Sequence, residues 1–366
     1  MKKTLSILLV ITMFLTLCAC SAGSGDTAGG PSAEGTQNGQ TDGQKDAAAS
    51  ETASEPTATP EPTATPEPTA TPEPTPTPVP TGATVSLLLP SKYNNGVYDE
   101  AGTIEAITYM AHDWLGDGPD VEKKAFVYLP YGYDETKQYN VMYLCHGIGG
   151  SETEWGLGTG NASRVKKIMD NLVKDGDIEP FIVVTANDKA LALSGVTGND
   201  LFYKFGYELR NDLIPYIESH YSTYAEYDEN GYDMSATRTH RAMAGLSMGG
   251  MQTINIGMCE CLDLFSWFGA FSAAPTSYAA SRVASEVAKS EYTVDFFYNI
   301  CGLQDKIAYA SASAAAKKLP DISELFVDGE NFLWQEKSGG HDFNIWYLGF
   351  YNFAQIAFGN DWTAGQ

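Results

Sequence analysis

Residues 83–366 alternate between short apolar runs and segments with helical periodicity, and this alternation restricts the fold more than any other feature of the sequence. The apolar runs have the length of strands, and their side chains are continuously apolar instead of alternating with polar ones. Such strands are typical of a sheet that is covered on both faces. We therefore expect an α/β fold, a doubly wound, mostly parallel sheet with helices on both faces. The predicted strands are residues 104–109, 125–129, 139–145, 181–185, 241–245, 267–271, 294–301 and 332–336, and the predicted helices are 162–174, 209–221, 248–258, 278–289, 307–318 and 344–358.

The first twenty residues have the pattern of an export signal. Lys2 and Lys3 precede an apolar stretch from Leu5 to Leu17 that is too short for an ordinary membrane span. The stretch ends in Leu17-Cys18-Ala19-Cys20, which resembles the lipobox of bacterial lipoproteins, where the signal is cut before the last cysteine and that thiol is acylated. We expect residues 1–20 to be a lipoprotein signal peptide, and lipidation of Cys20 to hold the protein at the outer cell surface. The alternative is a plain secretory signal.

Residues 21–82 contain almost no large apolar side chain, so they cannot bury a core of their own. A hexapeptide, Glu-Pro-Thr-Ala-Thr-Pro, starts at Glu55, Glu61 and Glu67, and a variant of it starts at Glu73. Frequent proline favours an extended polyproline II conformation, and the regular glutamates keep the segment solvated. We expect a disordered linker rich in Pro, Thr and Glu, which acts as a spacer between the membrane and the domain of residues 83–366.

Charge and cysteine usage exclude several classes of ligand. The net charge is −24, and the chain has no cluster of basic residues, so nucleic acid and anionic polymers are not expected partners. Cys259 and Cys261 are separated by one residue, which is neither a zinc-binding nor a thioredoxin-like spacing. We expect no metal, no other cofactor and no essential disulfide, and contact with a membrane only through the lipid anchor.

The segment Gly245-Leu246-Ser247-Met248-Gly249 places a serine between a predicted strand and a predicted helix. Functional residues of a doubly wound sheet lie at the carboxyl ends of the strands, and Ser247 is at such a position. A serine in a sharp strand-to-helix turn between glycines is the context of a nucleophile elbow. The free amide of Met248 at the helix start is then placed to stabilise an oxyanion.

A serine nucleophile needs an imidazole base and a carboxylate that orients it. Of the five histidines, His341 follows the last predicted strand in a glycine-rich loop, which places it at the correct edge of the sheet. Asp305 follows the strand 294–301, whereas Asp342 is adjacent to the histidine and would have to fold back. We therefore predict Ser247, His341 and Asp305 as nucleophile, base and orienting acid.

The loop after the strand 139–145 reads His146-Gly147-Ile148-Gly149-Gly150. Its glycines allow backbone amides to approach a substrate oxygen, as in the glycine-rich oxyanion loops of esterases. We predict the Ile148 amide as the second oxyanion donor beside Met248, with Gly147 as the neighbouring alternative.

With these motifs, the domain resembles carbohydrate esterase family 1, the feruloyl and acetyl-xylan esterases of the esterase D-like group. The similarity implies an α/β-hydrolase fold, and the triad of the family falls on Ser247, Asp305 and His341. One departure is Gly302-Leu303-Gln304-Asp305, where threonine is more usual at the second position. The similar stretches are residues 127–133, 146–151, 212–218, 244–250 and 339–346.

The resemblance also narrows the substrate. It is strongest to bacterial feruloyl esterases, which implies release of ferulate or p-coumarate from plant cell-wall arabinoxylan, with feruloylated or acetylated xylan fragments as partners. The alternatives are an acetyl-xylan or general short-acyl esterase, a siderophore esterase, and a catalytically silent surface binding protein. Trp155 follows the oxyanion loop and is predicted either to line the acyl pocket or to pack the loop against the domain.

Overall fold

The structure is a computed structural model, and it describes residues 85–97, 99–191, 198–229 and 231–359. The predicted signal peptide, Cys20 and the predicted linker lie outside these residues. One sheet of eight strands forms the centre, with the spatial order β1-β2-β4-β3-β7-β8-β9-β10. Its strands are β1 (Thr103–Ala111), β2 (Val121–Leu129), β3 (Val141–Cys145), β4 (Ile182–Ala186), β7 (Arg241–Leu246), β8 (Trp267–Phe271), β9 (Phe296–Gly302) and β10 (Phe332–Lys337), and β5 (Tyr227–Asp228) pairs separately with β6 (Gly231–Tyr232).

Six neighbouring strands of this sheet run parallel to one another, namely β4, β3, β7, β8, β9 and β10. Strand β2 is antiparallel to both of its neighbours, β1 and β4. Because β1 is reversed twice relative to β4, its carboxyl end lies at the same edge of the sheet as the carboxyl ends of the parallel strands. This edge carries the candidate site. The predicted doubly wound, mostly parallel α/β architecture is confirmed.

Helices cover both faces of the sheet and divide the core into two layers. One layer packs α1 and α7 against the sheet, and the other packs α3, α5 and α6 together with the segment after Ser247. Between these layers, five strands consist entirely of buried residues, namely β3, β4, β7, β8 and β9. Their complete burial explains their continuous apolar character. The helices are α1 (Arg164–Asp175), α2 (Phe205–Glu208), α3 (Ile214–His220), α4 (Met248–Gln252), α5 (Ala280–Val287), α6 (Tyr309–Ile322) and α7 (Phe343–Ile356).

Two predicted helices differ from the expectation of a regular α-helix. The predicted helix 209–221 begins with a π-helical segment at Leu209–Leu213, and the predicted helix 248–258 becomes π-helical at Thr253–Met258. An inserted π turn shifts the helical register without leaving a distinct spacing in the sequence. Within the described residues, no helix is long and apolar enough to cross a membrane.

Candidate active site

Ser247 lies in the sharp turn between β7 and α4, with a backbone φ of 50° and ψ of −111°. A positive φ is costly for a residue with a side chain and is characteristic of a nucleophile elbow. The turn is possible because its glycines allow close backbone contact. A Cβ atom on Gly245 would lie 2.5 Å from the carbonyl carbon of Gly249, and one on Gly249 would lie 2.5 Å from the carbonyl oxygen of Cys145.

His341 reaches Ser247 from the loop between β10 and α7, and its Nε2 lies 2.9 Å from the serine Oγ. This loop is bound to the loop after β9, because the Gly339 amide donates to the side-chain oxygen of Gln304 at 2.7 Å. The two loops approach so closely that a Cβ on Gly302 would lie 2.4 Å from the Gly339 carbonyl oxygen. The imidazole also packs edge-on against the ring of Trp346.

Asp305 completes the hydrogen-bonded chain, because its Oδ2 accepts a 2.7 Å hydrogen bond from His341 Nδ1. Its Oδ1 accepts hydrogen bonds of 2.9 Å from the amides of Ile307 and Ala308. Burial by itself raises the pKa of this carboxyl group, but the Ala308 amide and the His341 imidazole outweigh burial and lower the pKa below its ordinary value. Asp305 is therefore ionised and fixes the proton of His341 on Nδ1, which leaves Nε2 free to accept the serine proton.

Three candidates outside the predicted triad have other hydrogen-bond or stacking partners, namely Asp342, His220 and His240. Asp342 caps the start of α7, where its Oδ1 accepts from the Asn344 amide at 2.8 Å. His220 bonds to the Tyr216 carbonyl on its own helix. His240 stacks on Tyr224 at the amino end of β7, on the opposite edge from Ser247. The structure thus brings together Ser247, Asp305 and His341, as the sequence predicted.

The Met248 amide directly follows Ser247, and the Ile148 amide lies in the loop after β3, the strand that neighbours β7 in the sheet. Met248 is the first residue of α4, so its amide has no partner in the preceding turn. Within the described ranges, neither amide donates a hydrogen bond to another group of the chain. Two free donors beside a serine and its base form an arrangement that can bind the oxyanion of a tetrahedral intermediate.

Two acidic side chains fix the backbone that leads to Ile148. The His146 amide donates to Asp188 Oδ2 at 2.8 Å, and the Gly147 amide donates to Glu154 Oε2 at 2.6 Å. The alternative oxyanion donor, Gly147, is therefore occupied by Glu154. Neither acidic side chain was predicted, although Glu154 lies only four residues after Gly150 in the sequence.

The next peptide plane is fixed through the Gly147 carbonyl. That oxygen accepts hydrogen bonds from His146 Nδ1 at 2.8 Å and from the Gly150 amide at 3.1 Å. In a trans peptide the carbonyl and the following N–H point in opposite directions. The Ile148 N–H is thus directed away from these two donors before any substrate binds.

His146 is a neutral imidazole with a defined tautomer. Its Nδ1 faces a carbonyl, which only accepts, while its Nε2 lies 3.1 Å from the Asp188 amide, which only donates. Burial lowers the pKa of His146 to about 4, although the Gly147 carbonyl opposes the shift. Both ring nitrogens are engaged, so His146 supports the loop and is not available as a base.

Trp155 is not at a pocket wall. Its side chain is fully buried, its indole N–H donates to the Cys145 carbonyl at 2.9 Å, and its ring packs against Phe343 and Phe350 of α7. The structure corrects the acyl-pocket prediction in favour of the alternative, in which this tryptophan packs the loop against the domain. Exposed apolar side chains that neighbour the predicted site residues in the sequence are Ile148 in the glycine loop after β3, and Leu303 and Ile307, which flank Asp305.

No three His, Cys, Asp or Glu side chains in the described part of the chain are grouped as a metal site.

Residues 118–346, which include the three triad residues, match the family named Esterase. The chain belongs to this family. Together with the arrangement at Ser247, membership identifies the protein as a serine esterase.

Two curated relatives of this esterase are larger proteins. Endo-1,4-beta-xylanase Y from Acetivibrio thermocellus is 35% identical over 244 residues, which are 63% of this chain and 20% of the relative. Endo-1,4-beta-xylanase/feruloyl esterase from Xylanibacter ruminicola is 35% identical over 180 residues, which are 47% of this chain and 22% of the relative. The chain therefore spans about one fifth of the length of these relatives.

Two solved structures resemble the esterase over most of their own length. The feruloyl esterase module from Clostridium thermocellum, a serine-to-alanine mutant complexed with sinapinate, is 29% identical with a TM-score of 0.64. The ferulic acid esterase from Anaeromyces mucronatus, in complex with ferulic acid, is 26% identical with a TM-score of 0.60. The matches cover 76% of this chain, and 95% and 98% of the two structures.

Proposed function

We propose that this esterase releases ferulate or p-coumarate from arabinoxylan through an acyl-enzyme intermediate on Ser247. The observation that carries the proposal is the continuous hydrogen-bonded chain from Ser247 through His341 to Asp305. It occurs in a domain that matches 95% or more of two structures described as feruloyl or ferulic acid esterases.

Acylation begins when Ser247 Oγ attacks the ester carbonyl carbon. His341 Nε2 takes the hydroxyl proton, and Asp305 stabilises the resulting imidazolium without accepting the proton. The carbonyl oxygen becomes an oxyanion that receives hydrogen bonds from the Ile148 and Met248 amides. When the intermediate collapses, the bond to the sugar oxygen breaks, and His341 gives its proton to that oxygen.

Deacylation repeats these steps with water. His341 takes a proton from a water molecule, whose oxygen attacks the carbonyl carbon of the acyl-serine. The second oxyanion is bound by the same two amides. The bond to Ser247 Oγ then breaks, His341 returns the proton to the serine, and the free acid is released.

The side chains around the triad favour an aromatic acyl group over an acetyl group. Ile148 is 56% exposed, Leu303 is 43% exposed and Ile307 is 58% exposed, and each lies within a few residues of a proposed catalytic group. An aromatic ring can cover such apolar surface, whereas an acetyl group is too small to do so. We place the feruloyl ring against these side chains.

The experiment that tests the proposal is release of ferulate from feruloylated arabinoxylan by the wild-type protein and by Ser247→Ala. The substitution should leave the fold intact and reduce kcat by roughly 10³-fold or more. Ser311→Ala, which removes a hydroxyl on α6, is the matched control and should retain full activity. Near-normal turnover by Ser247→Ala would exclude the nucleophile.

We also propose that the enzyme acts at the cell surface, anchored by acylation of Cys20. The support is the Leu17-Cys18-Ala19-Cys20 sequence and the proline-rich segment that follows it. An anchored domain on a long spacer suits an enzyme whose substrate is an insoluble polymer outside the cell.

A further inference from the structure

Trp114, just beyond the carboxyl end of β1, is exposed but rigidly held. Its side chain is 45% exposed, and its indole N–H donates to Asp212 Oδ2 at 2.8 Å. The same carboxylate accepts from the His112 amide at 2.9 Å and from the His112 ring at 2.6 Å. Because the Asp212 side chain is itself 1% exposed, both rings are attached to a buried anchor. A surface tryptophan without a ligand gains little from such a fixed orientation.

A shallow cleft of about 290 Å³ between β1 and α3 is lined in part by His112, whose ring centroid lies 5.5 Å from that of Trp114. Its lining combines hydroxyl, carboxylate, amide and imidazole groups with an aromatic ring, from Thr108, His112, Glu122, Asn211 and Tyr216. This volume is close to the lower limit of small-ligand sites and suits a single sugar ring. One apolar wall and several hydrogen-bonding groups are complementary to a sugar ring, which has an apolar face and hydroxyl groups around its edge.

Charge around the cleft argues against an anionic ligand. Asp120 and Glu122 are exposed, His112 Nε2 lies 3.4 Å from Asp120, and Glu122 lines the cleft. Lys124 on β2 pairs in register with Thr108 and is an exposed cation close to the cleft, whereas the Lys123 ammonium is buried against Glu208. Carboxylates repel polyanions but accept hydrogen bonds from neutral hydroxyl groups.

The position of Trp114 relates it to the active site. The carboxyl end of β1 lies at the same edge of the sheet as that of β7, which carries Ser247. Four strand spacings separate β1 from β7, and at about 4.8 Å each the two strands are about 19 Å apart. A polymer of several sugar units is long enough to span a separation of this size.

We propose that Trp114, together with the adjoining cleft, forms a platform that binds the neutral sugar backbone of a xylan chain whose ester is held at Ser247. The inference rests on the proposed function, since it assigns a place to the polymer that carries the ester. The apolar face of a pentose ring stacks on the indole, and its hydroxyls bond to His112 and Glu122. A preorganised aromatic surface loses little conformational entropy when it binds.

The test compares polymeric and small substrates. Trp114→Ala should raise KM for feruloylated arabinoxylan roughly tenfold relative to KM for methyl ferulate, because the loss of a stacking contact weakens binding by about that factor. Trp114→Phe keeps an aromatic face and should restore part of the difference. Tyr131→Ala is the matched control, since Tyr131 is 50% exposed after β2, at the opposite edge of the sheet. It should leave the ratio of the two KM values unchanged.

Affinity electrophoresis of the Ser247→Ala protein in gels with unsubstituted xylan measures the platform without hydrolysis. Retardation that Trp114→Ala abolishes, and that polygalacturonate does not produce, supports the proposal. An equal KM ratio for wild type and Trp114→Ala, or retardation that survives this substitution, overturns it. If the wild type releases no ferulate while Trp114-dependent retardation persists, the proposed function fails and the platform stands.

Discussion

The carboxylate of Glu154 accepts a hydrogen bond of 2.6 Å from the amide of Gly147, seven residues earlier in the chain. This bond removes one amide of the glycine loop from the site and fixes the orientation of the peptide that precedes Ile148. The proposed oxyanion hole therefore has two donors, the Ile148 and Met248 amides, and Glu154 is a positioning residue for the first of them.

Replacement of Glu154 should reduce kcat much more than it changes KM. In Glu154→Ala the loop loses its anchor, and misplacement of one oxyanion donor costs up to roughly 10²-fold in kcat. Glu154→Gln still offers an oxygen acceptor to Gly147 and should restore most of the rate. Steady-state kinetics on methyl ferulate measure both constants. A rise in KM with unchanged kcat would contradict this role.

The second prediction distinguishes the two candidate acids. Asp305→Asn should keep the fold but leave His341 in the wrong tautomer, which costs up to about 10⁴-fold in kcat. Asp342→Asn is the matched control, because Asp342 only caps α7 and an asparagine caps a helix equally well. If Asp342→Asn proved the more damaging substitution, the assignment of the acid would be wrong.

The third prediction concerns pH and stability. Burial raises the pKa of Asp188 to about 8, far above its value of about 3.9 in an unfolded chain. The folded protein therefore holds a proton that the unfolded chain releases, so the contribution of this group to stability is present below about pH 4 and is lost as the pH rises to about 8. Asp188→Asn keeps an acceptor for His146 but cannot titrate. Denaturant unfolding should show a smaller fall in the free energy of unfolding, between about pH 5 and pH 8, for the variant than for wild type. An equal fall in both proteins would contradict the assignment.

The sequence predicted the triad because the positions of its three residues follow from the topology of the sheet. Ser247, Asp305 and His341 each follow a strand, and all carboxyl ends of parallel strands meet at one edge. The loop anchors Glu154 and Asp188 were not predicted, because a hydrogen bond from a side chain to a distant amide leaves no periodic signal in the sequence. The environment of Trp155 depends on α7, which is almost two hundred residues later in the chain. The short distance in sequence from Trp155 to the glycine loop therefore could not show whether this side chain lines a pocket or packs in the core.

The fourth prediction is that Cys20 is acylated. Mass spectrometry of the mature protein should find an amino-terminal Cys20 that carries a diacylglyceryl group, and Cys20→Ala should block both acylation and processing. Cys18→Ala leaves the cleavage pattern Leu17-Ala-Ala19-Cys20 and should still be processed. An unmodified mature amino terminus would point to the plain secretory signal.

The fifth prediction is the acyl preference, measured as kcat/KM on methyl ferulate and on acetylated xylan. The exposed side chains of Ile148, Leu303 and Ile307 offer apolar contact that a feruloyl ring can use and an acetyl group cannot. Methyl ferulate should therefore have the higher kcat/KM. Ile307→Ser should lower kcat/KM on methyl ferulate while changing the rate on p-nitrophenyl acetate less, since the proposed contact with that side chain is made by the aromatic acyl group. Preference for acetylated xylan would identify an acetyl-xylan esterase with the same triad, because the attack of Ser247 on the carbonyl carbon does not depend on the size of the acyl group.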